Sequence, residues 1–279
     1  MGQILQKLRS IHHSWFHHRG IKGIRMMLLS GILGLSCTTR VSEWILLNSL
    51  PVNYSLVYVH NGPVPDFLKK QHEALKRELV PANIRFSEVQ KAGTVQPFYT
   101  LYYKNRLFAT YSNPGELNNL VASTLRKMVA AELMEGKLCV MLYLKTGDKG
   151  KDDRGIQVLN KALEASPFRG IIPVVELDRN STEEAHFVNM LLNVEEDLKT
   201  IREPMLFGIF GRFKALEPLL AGGITEENIG LMIGYLKAGC SCLIKDNLPG
   251  TDILFAGNWE NPKPALLNKI LDEHPELDR

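Results

Sequence analysis

The sequence predicts an α/β protein built from two copies of one unit, each with the element order β-α-β-(α)-β-β-α. Three observations predict this class. Short apolar runs rich in Val, Leu and Tyr are typical of buried central strands, helical patterns separate these runs, and each half contains a hairpin opened by a proline. The 279 residues are 45% hydrophobic and 23% charged, which favours about two globular domains. We place them at 53–135 and 136–246.

Each unit begins with a strand, a helix and a second strand. The first strands are the nearly continuous apolar runs "YSLVYVH" and "LCVMLYLK", and the second strands are "NIRFSEVQ" and "IIPVVELD". Between them lie helical patterns with apolar residues on one face, at 65–80 in the first unit and 152–166 in the second. A strand, a helix and a parallel strand form the beginning of both units.

Each unit ends with a hairpin and a closing helix. "QPFYTLYYKNRLFATY" and "EPMLFGIFGRFKALEP" both contain a polar residue, a proline, a strand, a basic tip and a second strand. The closing helices are predicted at 115–134 and 225–239, and Thr225 is a good N-cap for the second. Only the second unit has a further helical pattern, at 181–200, where Ser181 and Glu184 offer a capping box. The first unit is therefore the minimal version.

This order, with Pro97 and Pro204 opening the third strand of each unit, resembles the thioredoxin-like superfamily. The resemblance implies a cis peptide bond before each proline, and trans prolines at strand starts are the alternative. It also implies a binding edge beside each proline. The candidate binding residues are Gln96, Pro97, Glu203 and Pro204, with His60 at the end of the first strand. For His60, a satisfied strand-end residue is the favoured interpretation.

The positions that carry Cys-x-x-Cys in redox members of this family contain no cysteine here. A helix N-terminus lowers the thiol pKa at that place, but this chain has "NGPVPD" (61–66) and "TGDKGKDDRG" (146–155). We therefore expect no ordinary dithiol exchange there. "GDKGK" could bind an anion, but it lacks P-loop spacing, and a solvated loop is favoured. No metal site has convincing ligand spacing, and no cofactor is expected.

Cys240 and Cys242 follow the closing helix of the second unit. By the family resemblance, this is the end opposite the usual active site, and Cys139 lies at the same end. The pair can form a strained disulfide, bridge to Cys139, bind a metal with outside ligands, or stay reduced. We favour a structural clasp, and a catalytic pair is the alternative.

The first 36 residues differ from the rest in composition. They contain five Lys or Arg and no acidic residue, and an apolar run too short to span a bilayer precedes Cys37. The end of this run, "LGLSC", resembles a bacterial lipobox, which implies that 1–36 is a cleaved signal peptide, that Cys37 is lipidated and that 37–52 is a linker. An uncleaved signal anchor, an organellar transit peptide and an amphipathic helix are the alternatives.

The lipobox resemblance implies a protein anchored to a membrane of the bacterial cell envelope and facing the periplasm or the exterior. Thr38 after the cysteine implies the outer membrane in a Gram-negative cell. Without residues 1–36 the chain would be slightly acidic, so the charge gives no support to a nucleic-acid partner. Export would permit disulfide bonds. Residues 247–279 are expected to form an extended tail packed on the domain, and a docking segment is the alternative.

The leading functional hypothesis is a non-catalytic binding or scaffold module. Its partner would be another envelope protein or an extended peptide, bound by strand-like pairing beside the two prolines. An atypical thiol–disulfide oxidoreductase or isomerase using Cys240 and Cys242 is the second hypothesis. A structural spacer without a specific partner is the third.

Overall fold

The protein has a mixed α/β architecture with two mixed β-sheets, as the sequence predicts. A computed structural model describes residues 39–48, 53–212, 214–240 and 250–278, which belong to one compact unit. The seven helices of this part are α1 (Val41–Asn48), α2 (Asp66–Leu79), α3 (Thr124–Met134), α4 (Lys149–Glu164), α5 (Ala185–Leu191), α6 (Glu226–Lys237) and α7 (Leu266–Glu273). The ten strands are β1 (Tyr54–His60), β2 (Ile84–Gln90), β3 (Phe98–Tyr103), β4 (Arg106–Tyr111), β5 (Val140–Lys145), β6 (Val174–Asp178), β7 (Met205–Phe210), β8 (Lys214–Ala215), β9 (Leu219–Leu220) and β10 (Thr251–Asp252).

The first sheet has the strand order β2-β1-β3-β4. β1 and β2 are parallel and are connected by α2, whereas β3 pairs antiparallel with both β1 and β4. The predicted hairpin is confirmed. Its two-residue turn consists of Lys104 and Asn105, both with positive φ (46° and 65°), which gives the twist that antiparallel strands require.

The second sheet repeats this order and adds one strand from the C-terminal segment. Its order is β10-β8-β7-β5-β6, and β9 pairs with the other end of β7 from β8. β5 and β6 are parallel and are connected by α4, while β7 runs antiparallel to β5. The fourth strand is thus divided into two short pieces, β8 and β9. Only this half has a helix, α5, between its second and third strands.

The closing helices agree only partly with the prediction. α6 begins after Thr225, whose side chain accepts a hydrogen bond from the amide of Asn228, as expected of an N-cap. α3 begins at residue 124 and not at 115, because Asn119 has a φ of 60° and Ser123 caps a new helix start. α5 is also much shorter than the predicted 181–200. Local turn chemistry therefore overrides the helical periodicity at the start of α3.

The predicted cis peptide bonds are wrong. No residue of the described ranges follows a cis bond, so both Pro97 and Pro204 are trans. Pro97 and Pro204 each directly precede the first residue of a strand, where proline is tolerated without isomerisation because no ladder hydrogen bond from its nitrogen is needed. The family resemblance therefore does not include the cis geometry at these two bonds.

Two apolar cores organise the molecule. One lies on the outer side of the second sheet, under α1, α4, α6 and α7, and includes Val41, Leu159 and Ile229. The other is continuous across both halves, because it contains Leu56 and Leu101 of the first sheet together with Leu142 and Leu144 of the second. The first half is therefore not an independent globule.

Residues 250–259, called here the tail strap, connect the two halves. Ile253, Leu254 and Phe255 are buried in the shared core, as the apolar pattern predicts. The side-chain amide of Asn83 donates to the backbone carbonyl of Ile253 (3.0 Å), and the phenol of Tyr54 donates to the backbone carbonyl of Asp252 (2.8 Å). The segment after residue 249 is more than an extended tail, since it also supplies β10 and α7.

A fully buried arginine completes this junction. Arg126 in α3 donates to the carbonyls of Leu120 (2.7 Å) and Leu254 (3.1 Å), and also to that of Asn119. Burial lowers the pKa of Arg126 to about 10, although the nearby Glu184 carboxylate opposes this effect. The side chain thus links α3 to the tail strap.

The segment predicted as a linker contains α1. Val41 and Ile45 of this helix are buried, and Arg40 forms an ion pair with Asp278 near the C-terminus (2.7 Å). None of the helices in the described part of the chain has the length and apolar content that a bilayer crossing requires.

Candidate functional site

The structure brings the predicted binding residues together at one end of each sheet. Strand register places His60 and Pro97 next to each other at the carboxyl end of β1, because Val59 pairs with Phe98. Pro204 lies at the carboxyl end of β5, since Leu144 pairs with Met205. We call these places the Pro97 end and the Pro204 end.

The Pro97 end is apolar and exposed. Gln96 and Pro97 are both exposed, and neither the backbone amide nor the carbonyl of Gln96 has a hydrogen-bond partner in the described chain. Two large apolar side chains of the same end are also exposed, Val95 by 94% and Phe67 by 66%. His60 does not face an empty site, because its Nδ1 donates to the carbonyl of Gly62 (2.7 Å).

A chain of three polar side chains joins α2 to β2 and β3. His72 on the inner face of α2 is 1% exposed, and both of its ring nitrogens are engaged: Nδ1 lies 2.9 Å from Glu88 Oε1 and Nε2 lies 2.8 Å from the Tyr99 hydroxyl. Burial raises the pKa of Tyr99, and the Tyr58 and Glu88 side chains add to the shift. His72 and Tyr99 are buried and hydrogen-bonded, whereas Glu88 is exposed, so the three side chains hold α2 on the sheet and the two buried ones offer no accessible nucleophile.

Sequence reasoning missed this chain. The helical pattern at 65–80 includes His72, but no local pattern connects this residue with Glu88 or Tyr99, which come from two different strands. The available signal was a polar residue at a core position of an amphipathic helix, because a buried imidazole requires hydrogen-bond partners.

The Pro204 end contains a cavity of about 500 Å³. It lies among the carboxyl ends of β5 and β6, the start of α4 and the segment before β7. Its lining residues are Thr146, Asp148, Lys151, Arg179, Asn180, Val188, Leu192, Lys199 and Arg202. Four of these side chains are basic and one is acidic, so the lining is strongly positive.

Two backbone donors in the first turn of α4 are already occupied by a side chain. One carboxylate oxygen of Asp148 accepts from the amides of Gly150 (3.0 Å) and Lys151 (3.1 Å). The buried Asp152 accepts from the amides of Thr146 and Gly147 (both 2.9 Å). An anion at "GDKGK" would therefore have to be bound by side chains and not by the helix N-terminus.

Two arginines of the cavity are held next to each other by backbone carbonyls. Arg179 donates to the carbonyls of Ile201 (2.6 Å) and Glu203 (3.2 Å), and Arg202 donates to the carbonyl of Lys199 (2.8 Å). Burial lowers the pKa of Arg179, and the positive charge of Arg202 lowers it further. The carbonyl of Glu203 is consequently not free to pair with an added strand.

The described cysteines lie away from both ends. Cys139 is a fully buried free thiol whose pKa burial raises to about 12. Cys240 is 1% exposed, and its amide donates to the carbonyl of Thr39 (2.9 Å). It follows α6, whose last residue, Lys237, lies 5.7 Å from the ring of Phe168 near the start of β6. Both thiols are thus at the end of the second sheet opposite Pro204.

A bridge between Cys139 and the Cys-x-Cys pair, which is one of the alternatives raised by the sequence, is not formed in the described chain. Cys37 and Cys242 lie outside the described residues. Within the described ranges, no group of three or more His, Cys, Asp or Glu side chains could hold a metal ion.

Comparison with known proteins gives no relative: no protein-family model matches the chain, and no curated protein matches it. The functional argument therefore depends on the residues and geometry described above.

Proposed function

We propose that the protein is an exported, lipid-anchored tandem thioredoxin-like protein of the bacterial cell envelope. It acts as a non-catalytic module that binds an extended peptide of another envelope protein at the Pro97 end. The strand orders β2-β1-β3-β4 and β6-β5-β7-β8, each with a proline before the third strand, support the thioredoxin-like assignment.

The unpaired backbone at Gln96 carries the proposal. Gln96 precedes β3 on the N-terminal side, beyond the last residues of β3 that pair with β1 and β4. It is an exposed residue, and its backbone amide and carbonyl have no hydrogen-bond partners in the described structure. An extended peptide can supply these hydrogen bonds by strand addition, and apolar side chains of the peptide can cover Phe67 and Val95. The Pro204 end is less suited to strand addition, because the carbonyl of Glu203 already accepts a hydrogen bond from Arg179.

A pair of variants at one position tests the peptide edge. Gln96→Pro removes the backbone donor, whereas Gln96→Ala changes the side chain and keeps the donor. We expect capture of the envelope partner by the purified protein to be lost in Gln96→Pro and retained in Gln96→Ala, with thermal unfolding confirming that both variants fold. Equal capture by the two variants would show that strand pairing at Gln96 is not used. If neither variant nor the unmodified protein captures a specific partner, the spacer hypothesis replaces this one.

The thiol oxidoreductase hypothesis finds no support among the described cysteines. A reactive thiol is accessible and has a lowered pKa, whereas Cys139 is buried with a raised pKa and Cys240 is 1% exposed. We expect no insulin reduction and no disulfide reshuffling by the purified protein. Activity that disappears in Cys242→Ser would favour the oxidoreductase instead.

The proposed anchor has its own test. We expect the intact mass of the membrane-associated protein to correspond to residues 37–279 with acyl groups on Cys37, and we expect Cys37→Ser to move the protein to the soluble fraction. A membrane-bound species that retains residues 1–36 would contradict cleavage and lipidation.

A further inference from the structure

We propose that the cavity at the Pro204 end binds the phosphate monoester group of a small soluble molecule through Lys151, Arg179, Lys199 and Arg202. This site lies in the other half of the molecule from the peptide edge at Gln96. Its existence does not depend on that edge, although the argument about the source of the phosphate uses the proposed lipid anchor.

The charge of the cavity lining is the first argument. Four cationic side chains come from three parts of the chain, and the only acid among the lining residues is Asp148, whose carboxylate is bonded to the amides at the start of α4. Lys151 Nζ lies 3.9 Å from the other oxygen of Asp148, which is a weak contact. Like charges held together repel each other, and a multiply charged anion between them removes this repulsion.

The geometry of the two guanidinium groups is the second argument. Arg179 and Arg202 are positioned by the carbonyls of Ile201, Glu203 and Lys199, so their orientation does not depend on a carboxylate partner. Each guanidinium has five N–H donors, and these bonds leave some of them unused. A planar fork of donors matches phosphate oxygens, and a phosphate monoester presents three oxygens and nearly two negative charges at neutral pH.

A neighbouring cavity of about 270 Å³ shows that the excess of positive charge is specific to the first one. The lysines of that second cavity are paired, because Lys145 lies 3.2 Å from Glu176 and Lys149 is bonded to Asp153. Both cavities open at the same end of the second sheet. Only the first contains arginines, and no ion pair joins either of them to a carboxylate in the described chain, although the charge of the nearby Asp152 partly offsets the lowering of the Arg179 pKa by burial.

The size and position of the cavity indicate a small soluble ligand. About 500 Å³ lies within the range of small-molecule sites, and Val188 and Leu192 offer apolar surface for the organic part. β5 has six residues and separates this end from the other by about 20 Å. Thr39, two residues after the proposed lipidation site, is bonded to Cys240 at that far end, so headgroups of the anchoring membrane lie away from the cavity.

Calorimetric titration of the full exported protein with glycerol 3-phosphate and with inorganic phosphate tests the proposal. We expect saturable binding of both probes, weaker at pH 5.5 than at pH 7.5 because the monoester loses charge below a pKa of about 6. Arg202→Gln and Lys199→Gln are expected to weaken binding by about tenfold or more, because each removes a charged donor. The matched controls are Lys145→Gln and Lys149→Gln, which remove charges from the neighbouring cavity and should leave the affinity within about twofold.

Several outcomes would overturn the proposal. Heat that does not saturate, or equal loss of affinity in the control variants, would exclude a specific site in this cavity. Citrate binding as tightly as glycerol 3-phosphate would exclude selectivity for phosphate. Binding to phosphatidylcholine vesicles that contain phosphatidic acid, without binding of glycerol 3-phosphate, would assign the site to a lipid headgroup and contradict the soluble source. Thermal unfolding of each variant verifies that lost binding is not lost folding.

Discussion

The two halves of the molecule share one order of elements but differ in how their sheets are covered. Both sides of the second sheet face an apolar core. The first sheet contributes only one face to the shared core, and apolar side chains such as Val89 and Leu107 on its strands remain 45% and 63% exposed. We therefore expect the first half to depend on the second half and on the tail strap for its stability.

The two ends that the repeat predicts to be equivalent are also different. The Pro97 end presents exposed Phe67 and Val95 beside an unpaired backbone, whereas the Pro204 end has a basic cavity. A shared fold thus places two chemically distinct surfaces at matching positions, as expected when function belongs to individual sites and not to the fold.

The largest expected effect tests whether the first half depends on the tail strap. Phe255 is 1% exposed and packs edge-to-face against Phe187 with ring centres 5.4 Å apart. Phe255→Ala should lower the free energy of unfolding by about 4 kcal/mol, because it leaves a cavity in the shared core. Urea unfolding measures this, and Leu107→Ala on the exposed strand is the control, with an expected loss below about 1 kcal/mol.

The same experiment distinguishes one cooperative unit from two independent domains. We expect a single unfolding transition that shifts as a whole in Phe255→Ala. Two transitions, of which only that of the second half shifts, would contradict the dependence of the first half on the strap.

A smaller effect is expected at the buried ion pair that fixes the tail strap. Asp252 lies 2.7 Å from Lys214 in the second sheet and also accepts from the Tyr103 hydroxyl of the first sheet (2.9 Å). Asp252→Ala leaves the buried Lys214 charge without its partner and should cost about 3 kcal/mol. The double variant Lys214→Met with Asp252→Leu should recover part of this loss. Additive losses in the double variant would show that the two charges do not interact.

A third effect is expected at a buried hydrogen bond within the first half. His72→Leu removes the partner of the buried Tyr99 hydroxyl and should cost about 2 kcal/mol, because that hydroxyl remains unsatisfied. Adding Tyr99→Phe removes the unsatisfied group, so the double variant should be more stable than His72→Leu alone. Chemical denaturation of the three proteins measures this, and a double variant that is less stable would contradict the hydrogen bond.

The sequence predicted what depends on local patterns. Both parallel strand pairs, the hairpin with the turn at Lys104 and Asn105, and the cap at Thr225 follow from apolar runs, turn residues and capping chemistry. Helix bounds were wrong where one residue interrupts a periodic pattern, as Asn119 does with its positive φ.

The shared core and the candidate sites could not be predicted in the same way. Phe255 meets Phe187 from a distant part of the chain, and His72, Glu88 and Tyr99 come from three separate elements. The basic cavity is likewise formed by residues that are distant from one another in the sequence. Residue 199 falls in the segment predicted as a helix up to residue 200, although the structure ends α5 at Leu191, and the arginines approach each other only through backbone carbonyls.

The smallest expected effect concerns a pair of carboxyl groups in the second half. Burial, followed by the hydrogen bond and charge of Glu217 and by the charge of Asp197, raises the pKa of Glu195 to about 7 from its ordinary value of 4.5. The Glu217 carboxylate beside Glu195 favours the protonated form of Glu195, because two like charges close together repel each other. Between these two pH values the folded chain holds a proton that the unfolded chain has lost, so the free energy of unfolding falls as the pH rises through this window. Glu195→Gln removes this dependence and should therefore gain stability relative to the unmodified protein from pH 5 to pH 8. Urea unfolding at both pH values measures the difference, with the exposed neighbour in Glu196→Gln as the control, and parallel pH profiles for the two variants would contradict the raised pKa of Glu195.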